Sequence, residues 1–477
     1  DSPYLTLATN NGSLFLLENV QTGYVAFASE RYMLEELNRQ LSFNKDGNSS
    51  IRPIMPNRGC LIDMVRIAVF DFSLEEGEVT DAELLGWSTR TITDGGPGGD
   101  NSIKGQFFSV HQEEIASNIV QHYRSMQRIA LDLRRCTRCI LPETMPLISF
   151  DDQGVCNYCR DHQPFKLLGE DALREAVQPF RRTDKNPECI ISLSGGRDSC
   201  YALHYVKKSL GLNPIAFTYD WGMVTDLARR NQARLCGALG IEHVIVSADI
   251  TRKRRNIRKN VTAWLKRPDL GVIPLFMAGD KQYFHYANEL KRKTGLELLF
   301  MAENAYEKTN FKSGFSGVIE KQDNLSYSLT AANKMKMGLY YLNEFVRNPS
   351  YVNSSLADTF WAYCIYYAQS SHRYVNLFRY IPWEEDLISR TLIQDYEWEL
   401  APDTQTTWRI GDGTAAFYNY IYFVAAGFTE NDTFRSNQVR EGVITRARAL
   451  ELARRDNEPR YQTIKEYCQL IGIEANR

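Results

Sequence analysis

The chemistry-bearing residues begin with Ser192-Leu193-Ser194-Gly195-Gly196-Arg197-Asp198-Ser199, set between an apolar run, Cys189 to Leu193, and a helical run that reaches about Leu210 with Gly211 placed to end it. Two glycines where a strand turns into a helix let backbone N–H groups approach an anion closely. The helix N-terminus adds roughly half a positive charge, and the Ser194 and Ser199 hydroxyls can donate to phosphate oxygens. Ser192, Ser194, Gly195, Gly196, Asp198 and Ser199 are therefore candidate ligands for the phosphates of a nucleotide. Asp198 suits the Mg²⁺ that accompanies a polyphosphate and is a candidate catalytic residue. No Gly-Lys-Ser/Thr ending follows, so the loop lacks the lysine with which γ-phosphate-transferring NTPases hold their substrate.

A second constellation is thiol. Cys136-Thr-Arg-Cys139 and Cys156-Asn-Tyr-Cys159 are two Cys-x-x-Cys knuckles 16 residues apart. That spacing suits tetrahedral Zn²⁺ held by four thiolates at about 2.3 Å; with the shell closed, the metal's role is structural. An iron–sulfur cluster is the alternative occupant, disfavoured by the two paired knuckles. The other six of the ten cysteines are scattered through apolar or helical stretches, as free thiols in a reducing compartment would be, which predicts a cytoplasmic protein.

Elements to carry these groups are readable along the chain. Residues 1–94 show short strand-like runs, Tyr4–Ala8, Leu14–Leu17 and Tyr24–Ala28, then a short helix over 31–41. Gly95-Gly96-Pro97-Gly98-Gly99-Asp100 reads as a linker, and residues 95–132 as that linker plus an amphipathic helix capped by Ser109 and Gln112. Residues 133–165 form the cysteine module. From 166 to 477, apolar runs (Cys189 to Leu193, Pro214 to Asp220, His243 to Ala248, Glu297 to Glu303) alternate with helical stretches, so an α/β fold with a parallel sheet covered by helices on both faces is expected. Beyond about residue 330 the chain is aromatic-rich and reads as mostly helical, closing with helices after Thr445 and Pro459. A net charge of −2 over 477 residues gives no global attraction to nucleic acid or an anionic membrane, and no apolar stretch is long enough to span one.

The loop resembles the Ser-Gly-Gly-x-Asp-Ser signature of PP-loop ATP pyrophosphatases, the adenine nucleotide α-hydrolase-like fold. That resemblance implies that pyrophosphate is gripped and AMP is left on the substrate, and that the end of the second strand, here Tyr219, Asp220 and Trp221, meets the nucleoside. Cys136 to Cys159, with Leu141-Pro142-Glu143-Thr144 and Phe150-Asp151-Asp152-Gln153-Gly154-Val155, is similar to the opening of the N-acetyl sugar amidotransferase family. Leu298 to Asn304 resembles that family's strand ending in Gly-Glu-Asn, with alanine for the glycine, and Gly442 to Leu450 resembles its closing helix. The likeness covers about residues 133–477. It implies ATP, Mg²⁺ and Zn²⁺, a small sugar-like or anionic acceptor whose carboxylate or amide oxygen is adenylated, and ammonia that displaces AMP.

Gly23-Tyr24-Val25-Ala26-Phe27-Ala28-Ser29-Glu30 looks like a strand late in class II glutaminase domains of the asparagine-synthetase type. Those enzymes use an N-terminal cysteine whose α-amine acts as base, whereas Asp1 stands first here and Cys60 is internal. The expectation is that this chain draws ammonia from a glutaminase domain or subunit and by itself uses ammonium.

Glu303, Lys308 and Arg409 join Asp198 as candidate catalytic residues: Glu303 at a strand's C-terminal end, Lys308 close after it, and Arg409 in the polar loop Trp408 to Thr414 with Asp412. Lys312 is a weaker candidate for pyrophosphate. The basic run Arg252 to Lys259 reads as an anion-binding patch or a solvated helix face. The reading is an AMP-forming C–N ligase. Its alternatives are an RNA-thiolating enzyme, although nucleic acid is disfavoured, and a non-catalytic nucleotide-binding subunit. Self-association is left open.

Overall fold

The computed structural model describes residues 4–9, 12, 14–19, 23–40, 49–55, 58–74, 123–277, 280–307, 311–318, 321–323, 326–328, 330–368 and 374–473. The Gly95–Asp100 linker, the Ser109–Gln112 cap and Lys308 lie outside them. Among the described residues, no helix is long and apolar enough to cross a membrane.

The N-terminal part holds two antiparallel three-stranded sheets. One contains β1 (Tyr4–Thr9), β5 (Arg58–Asp63) and β6 (Ala68–Ser73); the other contains β2 (Leu14–Asn19), β3 (Tyr24–Ala28) and β4 (Ser50–Ile54). Leu7, Leu16, Ile54, Cys60 and Ile62 form one core drawn from both sheets. Phe15 and Leu17, on the other face of β2, pack on Leu34 of the helix Arg31–Gln40. The period of two along β2 thus buries both its faces. This part meets the rest of the chain through the Arg31–Glu397 ion pair and through the Arg234 guanidinium, 5.8 Å from the Phe15 ring centre.

The second sheet is parallel throughout: β7 (Cys189–Ser192), β8 (Pro214–Asp220), β9 (His243–Ser247), β10 (Leu298–Met301) and β13 (Val375–Asn376). A separate hairpin, β11 (Lys321–Asp323) with β12 (Ser326–Ser328), lies between β10 and β13 in the chain. Across the parallel sheet the order is β9-β8-β7-β10-β13. All seven residues of β8 are buried. Ile190, Ile215, Phe217 and Leu299 face one helical layer, while Cys189, Ile191, Ala216 and Phe300 face the other. A strand covered on both faces reads as continuous apolarity, which is why β7, β8 and β10 were visible in the sequence, while β9, at the sheet edge with no buried residue, showed only through the apolar run His243 to Ala248. The fifth, β13, has two residues and leaves no periodic signal.

From β7 the chain winds outward through β8 and β9, then crosses back to β10 on the opposite side. The strand order therefore reverses between β7 and β10, and open α/β sheets bind ligands in the crevice beyond the carboxyl ends of such a pair. The helix after β7 is α-helical over Arg197–His204 and continues as a π-helical turn, Tyr205–Ser209.

That helix is tied to the C-terminal helices by a buried ionic clamp. Arg197 donates to Glu385 at 2.8 Å and to Thr407 at 2.7 Å. Arg435 donates to the other Glu385 oxygen at 2.5 Å and to Asp456 at 2.8 Å. Both arginines are 2% exposed. Burial pushes the Glu385 carboxyl up, but Arg197 and Arg435 outweigh it and hold the group at about 2. Glu385→Ala would leave the buried Arg197 guanidinium with Asp198, 3.3 Å away, as its remaining carboxylate and Arg435 with Asp456 alone. It should cost about 3–5 kcal/mol of stability at neutral pH, by denaturant titration. The clamp's stabilisation is present above the carboxylate's usual 4.5 and is lost as pH falls through about 2, so wild type and variant should converge in acid. A loss below about 1 kcal/mol at neutral pH would contradict this account.

Candidate active site and cysteine cluster

Gly195 takes φ +82°, and a Cβ built on it would lie 2.6 Å from the Ala228 carbonyl oxygen, so the position requires glycine on both conformational and steric grounds. Gly196 caps the following helix in extended backbone. The two serines brace the turn: the Ser194 and Ser199 hydroxyls are 2.9 Å apart, Ser199 Oγ accepts from the Ser194 N–H at 3.1 Å, and Ser194 Oγ accepts from the Gly196 N–H at 3.3 Å. Ser192 ends β7, paired in register with Phe217. Ser194 is exposed at the mouth of the turn. Glycine backbone, helix N-terminus and two hydroxyls thus converge at one exposed point, which suits a phosphate.

The loop Trp408–Gly413 lies directly against this turn. A Cβ on Gly411 would sit 3.5 Å from the Gly196 nitrogen, and the Gly411 carbonyl accepts from the Thr225 N–H at 3.2 Å. Arg409 adopts φ +50°, a left-handed conformation that costs a side-chain-bearing residue energy and is found where the surroundings over-determine the backbone. Its guanidinium reaches Glu430 at 3.2 Å and stands 3.9 Å from Glu307, with 31% of the side chain exposed. Asp412 instead caps the helix Gly413–Ala426, accepting from the Thr414 N–H at 2.9 Å.

Asp198, 9% exposed, accepts from the Trp383 indole at 2.9 Å and faces the Asn304 amide at 3.4 Å. Asn304 comes from the segment after β10, so the two strand ends at the reversal meet in this contact. The short 3-10 turn Ala305–Glu307 then brings Glu307 within hydrogen-bonding reach of Asp198, while the Glu303 side chain is exposed and its carbonyl accepts from Asn376 at 3.0 Å. Burial first and the Asp198 charge second push the Glu307 carboxyl up to about 8, with Arg409 and Arg197 opposing. The Asp198 charge disfavours a charge on Glu307, and Arg197, 3.3 Å from Asp198, and Arg409, 3.9 Å from Glu307, offset only part of that. Asp198 and Glu307 are therefore the groups that could hold Mg²⁺.

Lys312 forms an ion pair at 2.5 Å with the fully buried Glu430, which also accepts from Tyr418 at 2.8 Å. Burial pushes Glu430 up, yet Arg409 and Lys312 hold it at about 2. Tyr219 and Asp220 have engaged side chains: the Tyr219 hydroxyl donates to Gln282 at 3.1 Å, and Asp220 pairs with Arg229 at 2.7 Å. Sequence reasoning missed Glu307, Trp383, Trp408 (which donates to Glu307) and the ionic partners of Arg197. The one available signal was Glu307 standing four residues after Glu303 in the same strand-end segment.

The four cysteines converge as expected. Their sulfurs lie within 4.8 Å of one another, with Cys136–Cys159 at 3.9 Å and Cys139–Cys156 at 3.8 Å. A tetrahedron of sulfurs about 2.3 Å from one ion has edges of about 3.8 Å. Sulfurs this close could surround a single ion and leave no room for several irons. Cys136 Sγ accepts from the N–H groups of Arg138, Cys139 and Cys156 at 3.2–3.4 Å, as a thiolate would. Arg440 reaches Cys139 Sγ at 3.6 Å, and Arg446 bonds the Cys136 and Cys139 carbonyls at 3.0 and 2.9 Å. The cluster could therefore hold zinc, joining the module to the C-terminal helices.

No protein-family model and no curated protein matches the chain. Among solved structures, it is similar to an NH3-dependent NAD synthetase from Campylobacter jejuni, at 16% identity and a TM-score of 0.20, covering 41% of this chain and 91% of that one. It is also similar to an NMN synthetase from Francisella tularensis, at 15% identity and a TM-score of 0.22, covering 42% and 92%. Scores that low decide neither fold nor activity; strand order and register define the fold.

Between the usual 4.5 and about 8, the folded state holds a proton on Glu307 that the unfolded chain releases, so this residue's contribution to stability falls as pH rises through that window. Glu307→Gln removes the effect. Its melting temperature relative to wild type should climb across that range in metal-free buffer, and a flat difference would contradict the carboxylate pair. For the cysteine cluster, metal analysis should find about one zinc per chain, falling to near zero in Cys156→Ser together with a lower melting temperature.

Proposed function

We propose that this chain is an AMP-forming ATP-dependent ligase that joins nitrogen to an activated carboxylate or amide carbon. One observation carries the reading: the glycine turn after β7 and the carboxylate-bearing segment after β10 meet at the strand reversal, through the Asp198–Asn304 contact and the Asp198–Glu307 pair. In this reading Ser194, Gly195, Gly196 and Ser199 take the phosphates of ATP, Asp198 and Glu307 hold Mg²⁺, and Arg409 turns its exposed part toward the departing pyrophosphate. Ser192, Tyr219 and Asp220 stand on the nucleoside side. Glu303 at the rim faces the acceptor, and Lys308, five residues later in the sequence, is the further candidate for it.

Transferring AMP to the acceptor oxygen makes that oxygen a good leaving group, so a neutral amine can attack the carbon and AMP departs. A walled site serves this step because water would otherwise compete for the activated carbon. Ammonia supplied by a glutaminase domain or subunit rests on the likeness of Tyr24 to Glu30 alone. Thiol transfer is disfavoured: Cys200 and Cys236, the first two thiols after the loop, are both buried in the hydrophobic core.

The test is AMP formation from Mg²⁺-ATP with ammonium and a panel of small carboxylates and amides. Asp198→Asn should lower the rate by about 100-fold or more, and the exposed Ser194→Ala should lower it with the melting temperature unchanged. AMP release that persists in both variants would remove the loop from the chemistry.

A further inference from the structure

Asp198 and Glu307 each accept a hydrogen bond from an indole. The Trp383 N–H donates to Asp198 Oδ1 at 2.9 Å, and the Trp408 N–H donates to Glu307 Oε1. Trp383 stands just before the helix Glu385–Tyr396, and Trp408 opens the Trp408–Gly413 loop. Both therefore come from the C-terminal part of the chain, far in sequence from β7 and β10. A buried indole finds some acceptor as a rule, and Trp264 uses a backbone carbonyl, that of Asp269, at 2.9 Å. One such bond would say only that a ring is satisfied. Here two rings from separate segments find the two carboxylates that meet at the strand reversal.

The rings are locked in place. Trp383 and Trp408 are 6% and 5% exposed, and both pack on Phe434, itself 1% exposed. Trp408 stacks on Phe434 with ring centres 4.9 Å apart and planes at 23°; Trp383 meets it edge-on at 5.6 Å and 86°. Trp383 also meets the ring of Tyr306, the residue before Glu307, at 5.6 Å, and carries the Arg197 guanidinium 4.7 Å from its ring centre. A turn of either indole would have to displace Phe434, so the two N–H groups stay where the carboxylates need them.

An indole suits this task because it donates one hydrogen bond, accepts none and carries no charge. An amide or hydroxyl in its place could present an oxygen instead, and a lysine would add a positive charge to oppose a metal ion. Each indole fixes one carboxylate oxygen, and at Asp198 Oδ1 it is joined by Arg197 Nε at 3.3 Å. The other oxygens are held more loosely: Asp198 Oδ2 has the Asn304 amide at 3.4 Å, and Glu307 Oε2 has the Arg409 guanidinium at 3.9 Å.

We infer that Trp383 and Trp408 are positioning residues that orient Asp198 and Glu307 toward a divalent cation, each tying down one carboxylate oxygen and leaving the other for the ion. The inference rests on the reading of these two carboxylates as the Mg²⁺ site.

Mn²⁺ serves as the probe, with its free concentration read by electron paramagnetic resonance in the presence of the full chain and pyrophosphate. Trp383→Phe and Trp408→Phe should each weaken Mn²⁺ binding by about 10–100-fold. Benzothienylalanine at either position keeps the ring's shape, exchanges the N–H for sulfur, and should weaken binding equally with the circular dichroism spectrum unchanged. Trp398→Phe removes an indole that is 3% exposed in the same core and should leave Mn²⁺ affinity as it was. In turnover, the indole variants should raise the Mg²⁺ concentration for half-maximal AMP formation more than they lower the rate at saturating Mg²⁺. Wild-type affinity in both benzothienylalanine forms would overturn the positioning role, as would an equal loss in Trp398→Phe. Asp198→Asn tells the two levels apart: binding that survives it removes the cation site and the positioning with it, whereas binding lost there but kept in the indole variants removes the positioning alone.

Discussion

The left-handed backbone at Gly195, packed where any side chain would strike the Ala228 carbonyl, is the constraint on which the rest of the site depends. It lets the chain leave β7 at Ser192 and enter a helix at Arg197, so the helix N-terminus points into the crevice at the strand reversal. With any other residue there, the turn or the Asp226–Leu239 helix would have to move, and the exposed backbone donors would disperse. The Gly411 loop closes over the same turn from the far end of the chain, and its fit likewise depends on the absence of a side chain.

Charge then fixes what geometry begins. Arg197, one residue inside the helix, is clamped by Glu385 and shares that carboxylate with Arg435, while Lys312 and Arg409 share the buried Glu430. Each pair is costly to bury and costlier to break, so such networks favour one arrangement over near alternatives. They hold the C-terminal helices against the sheet and bring Glu307 beside Asp198. At the Asp198–Glu307 pair, Arg197 and Arg409 do not fully offset burial and the Asp198 charge, and the Glu307 carboxyl is raised to about 8.

How much of this was legible in the sequence follows from how local each signal is. Glycines between an apolar strand and a helix, and two Cys-x-x-Cys knuckles, carry their chemistry within a few residues, and both were placed correctly. The buried strands β7, β8 and β10, and the half-buried edge strand β9, showed as apolar runs. Glu307 was overlooked in favour of Glu303 because a single 3-10 turn decides which of the two faces inward. The clamp on Arg197 was invisible because Glu385 lies 188 residues away in the chain. Asp412, in the polar loop Trp408 to Thr414, caps the following helix, the common use of an aspartate just before a helix.

The claim most open to direct measurement is that the turn grips pyrophosphate as a leaving group. ATP labelled at the γ-phosphate, incubated with the chain, Mg²⁺, ammonium and an accepting substrate, should release its label as pyrophosphate in step with AMP. Label released as orthophosphate, with ADP formed alongside, would place the cleaved bond between the β- and γ-phosphates and contradict the account.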